Sequence, residues 1–221
     1  LEEIAANFPV YRTYLTENSN TISEKDWHVI EDAVRNAREH AAGKLDTDTF
    51  DFVGRLLLGE LESDEAGLRK AREFAMKFQQ LTGPAMTKGL ENTAFYRFNR
   101  LISLNEVGGD PGRFGTNPEE FHEANGAMAK LWPHTLLATA THDTKRGEDL
   151  RARLNVLSEM PTEWRDVATR WRQMNRDKKT SVDNAPAPDA NDEYLLYQTL
   201  VGAWPGHLED EKMLQSFRAR V

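Results

Sequence analysis

With 221 residues, 39% of them hydrophobic, the chain is long enough to bury a sizeable core as one large domain or two small ones. Its net charge of −8 argues against a nucleic-acid partner, whose phosphates are bound by basic patches, and favours an uncharged or cationic ligand. The lack of cysteine excludes a disulfide framework and thiolate chemistry, and no apolar run approaches the roughly 20 residues that span a bilayer, so no membrane partner is expected. No signal-like segment precedes Leu1, which makes the cytoplasm the expected setting. Leu1-Glu-Glu-Ile reads as the middle of a helix, and the chain is therefore expected to be a piece of a longer one.

In chain order, residues 1–22 form a leading segment in which Phe8 to Leu15 alternates large and small side chains, as a short strand or extended stretch would. Residues 23–82 read as a helical subdomain. Ser23 opens a helix with Trp27, Ile30, Val34, Ala37 and Ala41 on one face, and Gly43 stops it. A second helix begins at Thr47 or Asp48, with Phe50, Val53, Leu57 and Leu58 inward and Gly59 near its end. A third runs from Asp64 to Gln80 on Leu68, Ala71, Ala75 and Phe78, and Gly83-Pro84 breaks the pattern.

Residues 83–160 are the region where chemistry is expected. Phe95, Tyr96 and Phe98 cannot all face one core from a helix, so some of them must face a groove. With Lys88 and Asn92 they supply the ring faces and placed donors that bind sugars. Gly108 to Gly112 is a turn permitting φ > 0. Asn117-Pro118 starts a helix carrying Phe121, Ala124, Met128, Leu131 and Trp132, which Pro133 stops. Leu136 to Thr141 reads as a strand buried on both faces, with His142 and Asp143 at its carboxyl end and a loop feeding a helix on Leu150 and Leu154. In parallel α/β architectures that end of a strand is where ligands bind.

Residues 161–221 form a second helical region. Pro161 starts a helix whose Trp164, Val167, Trp171 and Met174 are expected to pack on the earlier helices. Residues 176–191 lack apolar periodicity and read as a mobile loop. Asp192 then caps a helix on Leu195, Leu196, Leu200 and Val201, and Leu208 to Val221 is a last helix with Met213, Leu214 and Phe217 inward.

Metal binding fits poorly: His134 and His142 lie about 26 Å apart along a strand at 3.3 Å per residue, and no metal or cofactor is expected. Serine chemistry lacks a nucleophile elbow. Glycoside chemistry needs a carboxylate nucleophile and a carboxylic acid about 5 Å apart to retain configuration, and Asp143 could be one carboxylate of such a site.

His142-Asp143 after a strand resembles the fourth signature region of the alpha-amylase family. The string Ala138-Thr-Ala-Thr-His-Asp-Thr-Lys-Arg-Gly-Glu-Asp149 is similar to the malto-oligosyltrehalose synthases within it. Phe8-Pro-Val-Tyr-Arg-Thr-Tyr14, Gly83-Pro-Ala-Met-Thr-Lys-Gly-Leu-Glu-Asn-Thr-Ala-Phe-Tyr96 and Ser103-Leu-Asn-Glu-Val-Gly-Gly-Asp-Pro111 agree, in matching order. The resemblance implies that Asp143 is the third catalytic acid and that His142, Lys88, Glu91, Tyr96, Lys145 and Arg146 bind substrate. It implies a maltooligosaccharide substrate, whose reducing-end bond is isomerised into a trehalose unit, and the rest of a parent chain as partner. The family string usually reads Glu-Asp where this chain has Glu91-Asn92, which removes a charge. The nucleophile and acid belong to strings not found here, so the piece alone is expected to be inactive.

The fold expected is mainly α with a few short strands, helical subdomains attached to part of a (β/α)8 barrel. The rival expectation is a non-catalytic helical module that binds carbohydrate or protein.

Overall fold

A computed structural model of the chain describes residues 1–17, 22–61, 64–206 and 211–220. Two compact units emerge, Leu1–Thr93 and Ala94–Val221. None of the described helices is long and apolar enough to cross a membrane.

The first unit holds α1 (Glu2–Ala6), α2 (Glu24–His40), α3 (Thr47–Leu58) and α4 (Glu65–Met86). Each of the three longer helices begins where a side chain takes up a free backbone N–H: Ser23 Oγ accepts from Asp26 N at 3.1 Å, Asp46 from Asp48 N at 3.2 Å, and Asp64 from Gly67 N at 2.8 Å. Gly59 ends α3 at φ +71°, the left-handed conformation that a side chain disfavours. The stripes so defined close on one another, and Ile4, Phe8, Ile30, Val34, Phe50, Leu57 and Phe78 form the core.

Two expectations for this unit are corrected. The stretch from Phe8 to Leu15, expected as a short strand or an extended segment, forms no strand and bends at residues 9–11. At its end the backbone of Leu15 is paired by the buried side chain of Gln79, which accepts from Leu15 N at 3.0 Å and donates to Leu15 O at 2.7 Å. The third helix does not break at Gly83-Pro84. Pro84 lacks an N–H for the carbonyl four residues back, but the surrounding ladder continues to Met86 and passes into a π-helical turn, Thr87–Glu91. The amide of Asn92 reaches back to Thr87 O at 3.0 Å to close that turn.

The second unit holds α5 (Pro118–Leu131), α6 (Glu148–Val156), α7 (Pro161–Asn175), a hairpin of β1 (Thr180–Val182) and β2 (Ala185–Ala187), α8 (Ala190–Ala203) and α9 (Glu211–Arg220). Helices α6 and α8 meet at Gly202, where an added Cβ would lie 2.7 Å from Leu150 Cγ. Leu154 is fully buried in that contact region. The buried side chain of Gln198 ties α8 to the segment before α5, donating to Asn99 O at 2.7 Å and accepting from Ile102 N at 2.9 Å.

Several expectations change here. Residues 176–191 are not a mobile loop: Asp183 and Asn184 at φ 52° and 64° form the tight turn of an antiparallel hairpin, which positive φ at both central positions suits. Helix α8 starts at Ala190, capped by Asp189, which accepts from the amides of Asn191 and Asp192, both at 2.8 Å. The aromatic stripe of α7 meets the later helix α8: Trp171 lies edge-on to Tyr197 at 5.3 Å, and Trp164 Nε1 donates to the Tyr194 hydroxyl at 2.8 Å. In α9, Phe217 is buried against Trp204 and Met213 is exposed, while Leu208 and Val221 lie outside the described residues.

Leu136 to Thr141, expected as a doubly buried strand, is irregular and open, with Leu136 96% and Leu137 89% exposed. A strand is made by its neighbours' backbone, and among the described residues the hairpin is the one sheet present, far from this segment in sequence. Helix α5 forms as expected behind its Asn117 cap, yet its apolar stripe is uncovered, with Phe121, Met128, Leu131 and then Trp132 exposed.

Candidate active site

The His142-Asp143 pair lies in a turn drawn together by threonines. Thr141 N donates to Thr144 Oγ1 at 2.6 Å, Thr144 N to Thr141 O at 3.2 Å, and Asp143 N to Thr141 Oγ1 at 3.3 Å. Both signature side chains project outward, 91% and 75% exposed, with His142 Nε2 3.3 Å from Asp143 Oδ2. A carboxylate held this way is solvated and acceptor-only, ready for hydroxyl groups.

Immediately after the turn the chain is gripped by one carboxylate. Glu106 accepts the amide of Lys145 on Oε1 at 2.8 Å and that of Arg146 on Oε2 at 3.1 Å, and Oε1 also takes the amide of Val107 at 2.9 Å. The Arg146 guanidinium reaches Ile102 O at 3.4 Å. Burial pushes its pKa down, partly countered by Tyr96 and Glu106 close by. His142, Asp143, Lys145 and Arg146 share one short stretch of sequence, and the fold adds Tyr96 near Arg146.

Tyr96 and Phe98 are exposed whereas Phe95 is buried, which is how the aromatic cluster resolves its conflict of faces. Arg100 lies over the Phe98 ring at 5.7 Å. Lys88 and Glu91 belong to the first unit. Lys88 is exposed on the π-helical turn, and its carbonyl accepts from Thr93 Oγ1 at 2.8 Å. Glu91 is buried and accepts the hydroxyl proton of Tyr11.

Three features lie outside what the residue patterns exposed. The role of Glu106 is one: the Gly-Gly turn was readable, the carboxylate's targets 39 and 40 residues on were not. A second is buried Glu193, whose carboxylate binds Lys179 Nζ and the Tyr197 hydroxyl, both at 2.6 Å. Burial raises the Glu193 pKa, but those two hydrogen bonds and the charges of Lys179 and Arg172 outweigh it, and the net shift is downward. The third is a cavity of about 730 Å³ bordered by Trp164, Arg172, Tyr194 and Tyr197. None of the expected site residues lines it. Among the described residues no group of three or more histidines and carboxylates is placed to hold a metal ion.

No family model matches the chain. A curated Mycobacterium tuberculosis protein provisionally named maltooligosyl trehalose synthase is 43% identical over 140 residues, 63% of this chain and 17% of that protein. The solved maltooligosyltrehalose synthase of Arthrobacter ramosus superposes with a TM-score of 0.70 at 33% identity, covering 99% of this chain and 24% of that one. A hypothetical maltooligosyl trehalose synthase of Sulfolobus tokodaii gives 0.65 at 30% identity, covering 99% and 25%. All of these relatives carry the name of a trehalose synthase, and the class the chain is similar to is a portion of such enzymes. More narrowly, the resemblance carried by the four sequence strings stands: sequence and fold alike match part of the maltooligosyltrehalose synthases, of which this chain spans between a sixth and a quarter.

Proposed function

We propose that this chain is a carboxyl-side part of an enzyme that converts the reducing-end α-1,4 bond of a maltooligosaccharide into an α,α-1,1 bond by intramolecular transglycosylation. The observation that carries the reading is the threonine-bound turn presenting the Asp143 carboxylate to solvent, within a chain similar over 99% of its length to solved enzymes of that name. Retention at the transferred sugar needs a nucleophile and a proton donor on either side of one glycosidic bond. Those two groups come from the rest of the parent chain. Asp143 then serves as the third acid, accepting hydrogen bonds from sugar hydroxyls more strongly as the ring flattens toward an oxocarbenium-like transition state.

The released glucose must turn and attack through its anomeric hydroxyl before water does, so the covalent intermediate has to be shielded. His142, Tyr96, Lys145 and Arg146 hold the sugar near the turn, and Lys88 and Glu91 act as substrate-binding residues in the same enzyme. Replacing Asp143 with Asn in the full-length protein tests this. Turnover should fall at least about 100-fold, the scale of losing one transition-state contact, with the fold intact. A folded Asp143→Asn protein with near-normal turnover would overturn the assignment. This chain by itself should give no trehalose-ended product from maltopentaose, because groups that act as a unit lose nearly everything when partners are absent.

A further inference from the structure

We propose that Glu106 is the positioning residue of the His-Asp turn, holding Asp143 in place by clamping the backbone that leaves it. The inference rests on the reading of Asp143 given above and adds to it the group that aims the carboxylate.

The turn containing Asp143 has few ties on its leading side. Residues 132–141 are exposed, and apart from bonds to their near neighbours in sequence the Arg151 guanidinium donates to the Thr139 carbonyl. On the trailing side the chain is held tightly. Both oxygens of Glu106 engage backbone amides, at 2.8 Å to Lys145 and 3.1 Å to Arg146, two and three residues beyond Asp143. Hydrogen bonds from N–H groups to an ionised carboxylate are roughly twice as strong as neutral ones, and a forked pair fixes orientation as well as distance. The Arg146 guanidinium returns to Ile102 O at 3.4 Å, so residues 102–106 hold Arg146 by backbone and by side chain.

The turn that bears Glu106 is itself narrowly specified. Gly108 takes φ +74°, and a Cβ on Gly109 would lie 2.8 Å from Leu104 O and 2.9 Å from Glu106 O, backbone atoms that cannot step aside. Gly109 N donates to Glu106 O at 2.7 Å. The string Ser103 to Pro111 is thereby given a purpose: two glycines let the chain fold back tightly enough to aim one carboxylate at the exit of the signature turn. A glutamine there could accept one amide, but its NH2 would point a donor at the other.

The test uses a full-length synthase carrying this segment, with Glu106→Gln and Glu106→Asp measured beside Asp143→Asn. All are assayed on maltopentaose at a temperature where each remains folded. For Glu106→Gln, kcat should fall at least about 10-fold while KM moves less than about threefold, since misplacing a catalytic group by about 1 Å can cost up to 100-fold without removing a substrate contact. Glu106→Asp keeps the charge and should recover part of the loss. Amide exchange at Lys145 and Arg146 should accelerate in Glu106→Gln with helical content unchanged. Normal kcat in Glu106→Gln alongside an inactive Asp143→Asn would overturn the clamp and leave the turn assignment standing. An active Asp143→Asn would remove the turn assignment itself. Should Glu106→Gln fail to fold, Glu106→Asp decides: kcat equal to the unchanged protein, with exchange at Lys145 and Arg146 accelerated, overturns the proposal.

Discussion

Helices α2 and α5 carry the same kind of sequence and meet opposite fates. Each opens on a capping side chain, Ser23 or Asn117, and each repeats apolar residues every three or four positions. In α2 that stripe is buried as Ile30, Ala33, Val34 and Ala37 against its neighbours. In α5 no residue is buried, and Phe121, Met128 and Leu131 face solvent. A cap and a period decide that a helix forms and which face is apolar, whereas burial depends on whether another element arrives to cover that face. An apolar face left open on this scale marks an interaction surface.

The comparison can be broken most sharply at the core. Phe78 is buried and edge-on to Phe8 at 5.8 Å, so Phe78→Ala should cost about 3–5 kcal/mol by leaving a cavity. Urea titration of the purified chain checks this, and a loss under about 1 kcal/mol would mean that the first unit is loosely packed.

Next in size is the buried ion pair of the second unit. Lys179→Met removes the partner of a carboxylate buried at Glu193 and should cost about 3 kcal/mol. The sign of the pH effect follows from the shift. The folded pKa of Glu193 is depressed, so its contribution is present above the unfolded carboxylate value of about 4.3 and is lost as pH falls through the folded value. Glu193→Gln should therefore flatten the acid limb of a stability–pH curve. An unchanged acid limb would show the pair to be energetically idle.

The helix starts give a smaller effect. Asp46→Ala removes the acceptor for Asp48 N and should cost about 1 kcal/mol, read as a shift in thermal midpoint. The smallest effect is the one that sharpens the contrast between stripes. Trp132→Ser and Leu131→Ser should change the stability of this chain by less than about 0.5 kcal/mol, because both side chains are already in water. In a full-length synthase carrying this segment the same changes should cost at least about 2 kcal/mol if the stripe of α5 is covered there. Equal small effects in both would show that the stripe stays open.

Local chemistry made much of the molecule readable. Ser23, Asp64 and Asn117 announce helices because an orphan N–H must find an acceptor within three residues, and Gly59 announces an end because only glycine accepts φ +71° cheaply. The hairpin turn was readable in principle, since Asp183-Asn184 is a pair that tolerates positive φ, but Ala185-Pro186-Ala187-Pro188 obscured the strand beside it. Asp143, His142, Lys145 and Arg146 come together for the simple reason that they are neighbours in sequence.

What the amino-acid order alone determined is whatever acts over one turn of chain: the capped starts of α2, α4 and α5 and the glycine end of α3, which face of each is apolar, and which short string holds the His142-Asp143 pair. Tertiary structure alone decided that Gln79 replaces a strand partner for Leu15, that α7 packs on α8, that Leu136 and Leu137 lie open, and that Glu106 reaches across to Lys145 and Arg146. Each of these depends on groups far apart in sequence meeting at hydrogen-bond or van der Waals distance. An apolar run cannot say whether a covering layer will be there, and a carboxylate cannot say which amides it will find.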